Sequence, residues 1–191
     1  LGLIESALIE SKLDAQIDNP AACTELLLQS PDAEVDYHPL IIDYHQAYLN
    51  FADPTATAFT LLLTVNNQPC GILPLMIKNY PGERVLGANS ADSLPPFLVQ
   101  SLSRKQKRKL YSKCFDFLTQ LMISLEIKTF TSQFPFIPGV SESWFSLLNE
   151  RAAEKGAQAD FNEELYCDLT LSDEAYLPLI RDKYRSHIKK A

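Results

Sequence analysis

Residues 58–78 constrain the fold more than any other stretch. Ala58-Phe59-Thr60-Leu61-Leu62-Leu63-Thr64-Val65 and Cys70-Gly71-Ile72-Leu73-Pro74-Leu75-Met76-Ile77-Lys78 are both rich in strand-forming residues. Between them, Asn66-Asn67-Gln68-Pro69 is turn chemistry, so the two runs read as a β-hairpin. Pro74 has no N–H to give to a ladder, which places it at an edge or a bulge. Arg84–Gly87 and Leu94–Gln100 are short strand candidates after the Tyr80-Pro81-Gly82 turn.

Helical signals surround this hairpin. The first eighteen residues fit either a strand or a helix. Asn19-Pro20 opens a short helix, with Asn19 as cap and Pro20 at the first helical position, running over Ala21–Gln29. A second helix covers Pro39 to Phe51, with Leu40, Tyr44, Ala47 and Tyr48 or Phe51 sharing one face. Ser103 and Gln106 form a capping box ahead of the stripe Leu110, Cys114, Phe117, Leu121, Leu125. Lys128–Phe134 reads as a strand. Ser141–Lys155 reads as a helix, with Gly156 as its terminal cap. Residues 157–169 are extended, and a last helix begins near Ser172 with the stripe Tyr176, Ile180, Tyr184, Ile188. Pro178 is awkward there, because an interior proline costs ~3 kcal/mol.

The order predicts one α/β domain over residues 1–191. Its mixed sheet joins hairpin 58–78 to strands near 128–134 and 160–169, flanked by helices 103–125 and 141–155. The six glycines are too scattered for a dinucleotide fingerprint, and none begins a phosphate loop. No apolar run approaches the ~18 residues of a membrane span. The chain shows no basic start followed by a signal core, so the expected compartment is the cytoplasm. Cys23, Cys70, Cys114 and Cys167 form no Cys-x-x-Cys pair, and read as four free thiols in a reducing compartment.

The net charge of −7 is unevenly placed: residues 1–100 carry −9 and residues 101–191 carry +2. An acidic whole disfavours DNA, since that affinity comes largely from neutralising phosphates. Local cations can still hold one anion. Two clusters qualify. Arg104-Lys105-Gln106-Lys107-Arg108-Lys109 opens a helix, where it is either a solvated face or an anion site. Arg181, Lys183, Arg185, Lys189 and Lys190 lie near the end, with Arg181, Arg185 and Lys189 spaced four apart on one helical face.

Asp36-Tyr37-His38 recurs as Asp43-Tyr44-His45. Residues seven apart on a helix are separated by ~10.5 Å of rise, too far for two ligands of one zinc at ~2 Å each. These are surface or packing histidines, and no metal is expected. There is no G-x-S-x-G elbow and no readable carboxylate pair, so no catalytic residue is assigned.

One arrangement is familiar. The hairpin "AFTLLLTVNNQPCGILPLMIK" is followed by "RVLG", by "DSLPPFLV" and by a long helix. Later comes "LYCDLTLSDEAYLPLIRDKYRSHIKKA". Over roughly residues 38–191 this resembles the N-terminal half of Fem-type aminoacyltransferases and CelD/BcsL-type acetyltransferases of the GNAT superfamily. The matching positions are Gly71–Leu75, Leu86-Gly87, Cys167-Asp168-Leu169, and Lys183, Arg185, Ile188, Lys189, Lys190 and Ala191.

The resemblance implies a GNAT-like α/β fold and transfer of an acyl or aminoacyl group to a cell-wall precursor, nucleotide sugar or polysaccharide. The donor would be acyl-CoA or aminoacyl-tRNA. It would sit in a second half absent from this chain, leaving the isolated chain inactive. The superfamily's glycine-rich Q/R-x-x-G-x-G/A turn is missing, and Ala91-Asp92-Ser93-Leu94-Pro95-Pro96 replaces the family's glycine-rich segment. Arg181, Lys183, Arg185, Lys189 and Lys190 would bind the acceptor. A non-catalytic binding module that keeps only the fold is the alternative.

Overall fold

The computed structural model describes residues 2–30, 37–80, 83–87, 94–130 and 142–154. The chain divides into a compact unit, Leu1–Ala159, and a second, Asp160–Ala191. Everything described lies in the first. The expected strand 160–169, Cys167, the final helix and its five cations fall outside the described residues, as do residues 131–141.

The ambiguous N-terminus is a helix, α1 (Gly2–Ser11), followed by a short strand, β1 (Ala15–Ile17). Helix α2 (Pro20–Leu28) starts as its sequence dictates: Pro20 occupies the first turn and the Asn19 side chain accepts the Ala22 N–H at 3.1 Å. Helix α3 (Pro39–Ala52) follows. Strands β2 (Thr57–Val65) and β3 (Gln68–Tyr80) form the hairpin. Their two-residue turn puts Asn66 and Asn67 at φ 51° and 62°. Asparagine tolerates that region, and the geometry matches strand twist. Then come β4 (Glu83–Gly87), β5 (Phe97–Leu98), α4 (Arg104–Ser124), β6 (Thr129–Phe130) and α5 (Glu142–Glu154).

The sheet runs β1-β2-β3-β4-β6, with β5 also on β3. All pairs are antiparallel except β4–β6, which is parallel. A parallel pair needs a long crossover, and α4 lies within it. The fold is therefore a mixed α/β sheet flanked by helices. Side chains alternate across it. Phe59, Leu61, Leu63, Leu73 and Leu75 pack with α1, α4 and α5, while Leu62 and Ile72 pack with Cys23 and Leu26 of α2. Each fully buried leucine is worth about 1.5–3 kcal/mol. On the first face Trp144 stacks on Phe115 at 4.1 Å and meets Tyr111 edge-on at 5.5 Å. That joins α5 to α4.

Two expectations need correction. Pro74 is neither at the outer edge nor at the bulge; it is fully buried on a central strand, opposite Thr60. The N–H and C=O of Thr60 both bond to Asp18, away from β3. Thr60–Pro74 is thus a non-hydrogen-bonded pair, and the nitrogen of Pro74 faces the other side of β3. There β5 pairs with residues 71–72 and β4 with 76–80, leaving 73–75 without a described partner. The proline sits in that gap. The register shift in the hairpin falls instead at Cys70, between the pairs Leu63–Gly71 and Thr64–Pro69.

The second correction concerns α3. The face marked by Leu40, Tyr44, Tyr48 and Phe51 does not enter the core: those residues are 70%, 64%, 62% and 93% exposed. Ile42 is the buried residue, at 6%. Helix α3 carries apolar residues on two sides, and the sheet takes the Ile42 side.

Candidate functional site

Among the described residues, an open concavity lies on the sheet face that carries α2 and α3. It is a cleft of about 270 Å³ between the start of α2, the inner side of α3 and residues 58–60 of β2. Its polar groups are Asp18, Cys23, Asp43, Gln46 and Thr60; Pro20, Pro39, Ile42 and Ala58 supply apolar wall.

Asp18 owes its place to the backbone. At φ 49° it ends β1 in a conformation that Asp tolerates better than most residues. Its N–H donates to the Thr60 carbonyl at 2.8 Å, and its carboxylate accepts the Thr60 N–H at 2.8 Å. The side chain thereby stands in for one more residue of the β1–β2 ladder.

Asp43 and Gln46 are three apart on α3, on one face. The Gln46 Nε2 donates to the Ala56 carbonyl at 3.2 Å and to Asn50 Oδ1 at 2.5 Å. Those two acceptors fix which end of the amide is nitrogen. The opposite atom, Oε1, is buried and accepts nothing from any described residue.

Burial disfavours the thiolate at each of the three described cysteines. Burial, and then the Asp18 charge, push the Cys23 thiol up to about 11. Burial pushes Cys70 to about 11 as well, and raises Cys114 further. A thiol held neutral is a small apolar side chain. All three are free and buried. Burial also pushes the Tyr111 hydroxyl up to about 12.

The basic run at the start of α4 is spread over solvent. Arg104, Lys105, Arg108 and Lys109 are exposed, and Arg108 lies 3.8 Å from Glu150 of α5. The helix start is closed by its own residues: Ser103 Oγ accepts the Gln106 N–H at 3.3 Å, and Gln106 Oε1 accepts the Ser103 N–H at 2.9 Å. Two amide donors that an anion would need are already engaged, so the solvated-face alternative fits this run. His38 and His45 do not come together on an ion; His38 Nδ1 accepts the Leu40 N–H at 3.2 Å, and His45 meets the Tyr44 ring at 5.5 Å. Among the described residues no group of three metal-ligating side chains is found, and no helix is long and apolar enough to cross a membrane.

Motif reading misses Asp18 and Gln46, which belong to no recognisable spacing, and takes up Asp43 only as part of the Asp-Tyr-His repeat. A cruder signal could have found them. Residues 13–77 contain no Lys or Arg and eight Asp or Glu, and every wall of the cleft comes from that stretch.

No protein-family model matches the chain, and no curated protein matches it. Among solved structures it is similar to the ribosomal-protein-alanine N-acetyltransferase from Brucella melitensis biovar Abortus 2308. That match has 13% identity and a TM-score of 0.41, and covers 82% of this chain and 99% of that one. It is also similar to the aminoglycoside acetyltransferase meta-AAC0020 from an uncultured soil metagenomic sample, in complex with sisomicin. Here identity is 12% and the TM-score 0.42, with 81% of this chain and 95% of that one covered. Scores this low assign no family.

Proposed function

We propose that this chain is the acceptor-side half of an acyl- or aminoacyltransferase of the Fem or CelD type, within the GNAT superfamily. One observation carries the reading. Two of the segments that make the resemblance, Gly71–Leu75 and Leu86-Gly87, lie on neighbouring paired strands, and Phe97-Leu98 pairs with the first of those strands. Leu86 and Gly87 pair with Ile77 and Met76, and Phe97 and Leu98 pair with Ile72 and Gly71. Gly71 is required at that meeting: a Cβ there would lie 2.4 Å from the Phe97 carbonyl oxygen. The step from such an arrangement to an activity is an analogy at the level of fold.

On this reading the donor is acyl-CoA or aminoacyl-tRNA, held by a second half. The acceptor is a nucleotide sugar, cell-wall precursor or polysaccharide. Arg181, Lys183, Arg185, Lys189 and Lys190 face its anionic group, with Arg185 gripping phosphate through its planar fork. Transfer to an amine or hydroxyl needs a base at the attacking atom and donors at the oxyanion. In the cleft, burial raises the Cys23 thiol to about 11 and one oxygen of Asp18 accepts the Thr60 N–H at 2.8 Å; no residue is assigned to those roles.

A binding module is the second reading, favoured by a cleft that offers hydrogen-bond acceptors but no nucleophile. Acyl-CoA turnover by the full-length protein separates the two. Release of free CoA that depends on a nucleotide sugar supports transfer; no turnover with any donor leaves the binding module.

A further inference from the structure

The outward face of α3 carries a pattern that packing on the sheet does not explain. Leu40, Tyr44, Ala47 and Phe51 are all exposed, and they follow one another at intervals of four, three and four residues. That is the 3.5-residue repeat of a helix–helix seam, which keeps apolar residues aligned with a neighbouring helix. Tyr48, also exposed, widens the stripe on one side. Ile42 lies on the opposite, buried side of the helix.

Three features select a second copy of this chain as the partner. The first is symmetry. The intervals four, three, four read the same in both directions. When two α3 helices lie antiparallel about a two-fold axis, Leu40 of each meets Phe51 of the other, and Tyr44 of each meets Ala47 of the other. The two central layers then set a large side chain opposite a small one, which is how packed layers interdigitate. An isologous contact requires this kind of self-complementarity.

The second feature is charge. Helix α3 has no Lys or Arg, and Asp43 is its one carboxylate. In the antiparallel arrangement Asp43 flanks the seam beside the uncharged Asn50 of the other copy, so no like charges oppose. A strongly charged partner would find almost nothing on α3 to pair with. The third feature is area. Tyr44, Tyr48 and Phe51 together offer on the order of 400 Å². Leu40 and the flanking residues bring each side to roughly 600 Å², the lower limit for a stable interface and the upper limit for an apolar patch on a typical monomer. An interface of that size suits a dimer in exchange with its monomer.

We propose that two copies of this chain associate through α3, antiparallel about a two-fold axis, with Leu40 against Phe51 at both ends of the seam and Tyr44 against Ala47 at its centre. The proposal is independent of the acyl-transfer reading.

The test is sedimentation velocity of the full chain over about a hundredfold range of micromolar concentrations, where mass action should shift monomer to dimer. Leu40→Glu and Phe51→Lys each put a charge into the seam. Both complement the helix dipole, one near its start and one near its end, so α3 should persist. Melting curves at the lowest concentration check that each variant folds as wild type does. Each variant alone sets its charge against an apolar residue, twice in the symmetric dimer, and should associate about thirtyfold or more weakly. Mixed one to one, the two variants should pair with each other. The new carboxylate then meets the new ammonium at one end of the seam, while the unaltered Phe51 meets the unaltered Leu40 at the other. Added salt should weaken that mixed dimer. A wild type that stays monomeric throughout, single variants that associate as wild type does, or a mixture that remains monomeric would each overturn the proposal.

Discussion

Gly71 shows how one residue sets the packing around it. It stands where β5 pairs with β3, and an added Cβ would meet the Phe97 carbonyl oxygen at 2.4 Å and Leu98 Cδ2 at 2.6 Å. The oxygen is backbone and cannot rotate aside. Gly71→Ala should therefore push β5 off the sheet and cost about 1–3 kcal/mol, in the range of other overpacked cores. Urea unfolding of the variant measures this; a midpoint equal to wild type would mean that β5 does not lie against Gly71. The thiols give a prediction in pH. Cys23 and Cys70 have folded values near 11, above the ordinary thiol value of 9.0. The folded state thus holds its thiol protons more tightly than the unfolded state. Their contribution to stability is complete below about 9 and declines as pH rises toward 11. Unfolding free energy measured across that window should fall, while an aromatic disulfide reagent at pH 8 should react slowly with the native protein.

Among the elements, α3 makes the sharpest contrast. Its exposed side carries Phe51 at 93% and Leu40 at 70%, and its inner side Ile42 at 6%. Phe51→Ser should change stability by no more than about 0.5 kcal/mol, whereas Ile42→Ala should cost about 2 kcal/mol or more. Thermal melts of the two variants decide which face is inner. This helix also marks a limit of the sequence. Periodicity finds Pro39–Ala52 well, because spacing is a property of the helix alone. Which of two apolar sides is buried depends on what β2 presents, and the sequence of α3 does not contain that. Capping behaves differently. Asn19, Ser103 and Gln106 act through bonds to residues three away, so local sequence reads them correctly. Pro74 is intermediate: its missing N–H rightly predicts a break in a ladder. That the break falls where 73–75 have no described partner, between the stretches paired with β5 and β4, requires knowing that both pair with β3. The cleft is the least legible feature, because Asp18, Asp43 and Gln46 are brought together by β1, α3 and their packing on β2 rather than by any spacing.

At the scale of the whole molecule, charge is divided along the chain. Residues 1–100 have a charge of −9, and residues 101–191 have +2. The acidic portion contains the cleft; the basic portion ends in the five cations proposed to face the acceptor. The central proposal, that those cations grip an anionic group, is tested most directly by calorimetric titration of the full-length protein with nucleotide sugars, comparing wild type with Arg185→Ala. Charge-assisted hydrogen bonds are worth about 1.5–3 kcal/mol, so the variant should bind about ten- to over a hundred-fold more weakly. Its melting temperature should stay that of wild type if the guanidinium faces solvent. Equal affinity in the two proteins would contradict the proposal and leave Arg185 on a solvated helical face.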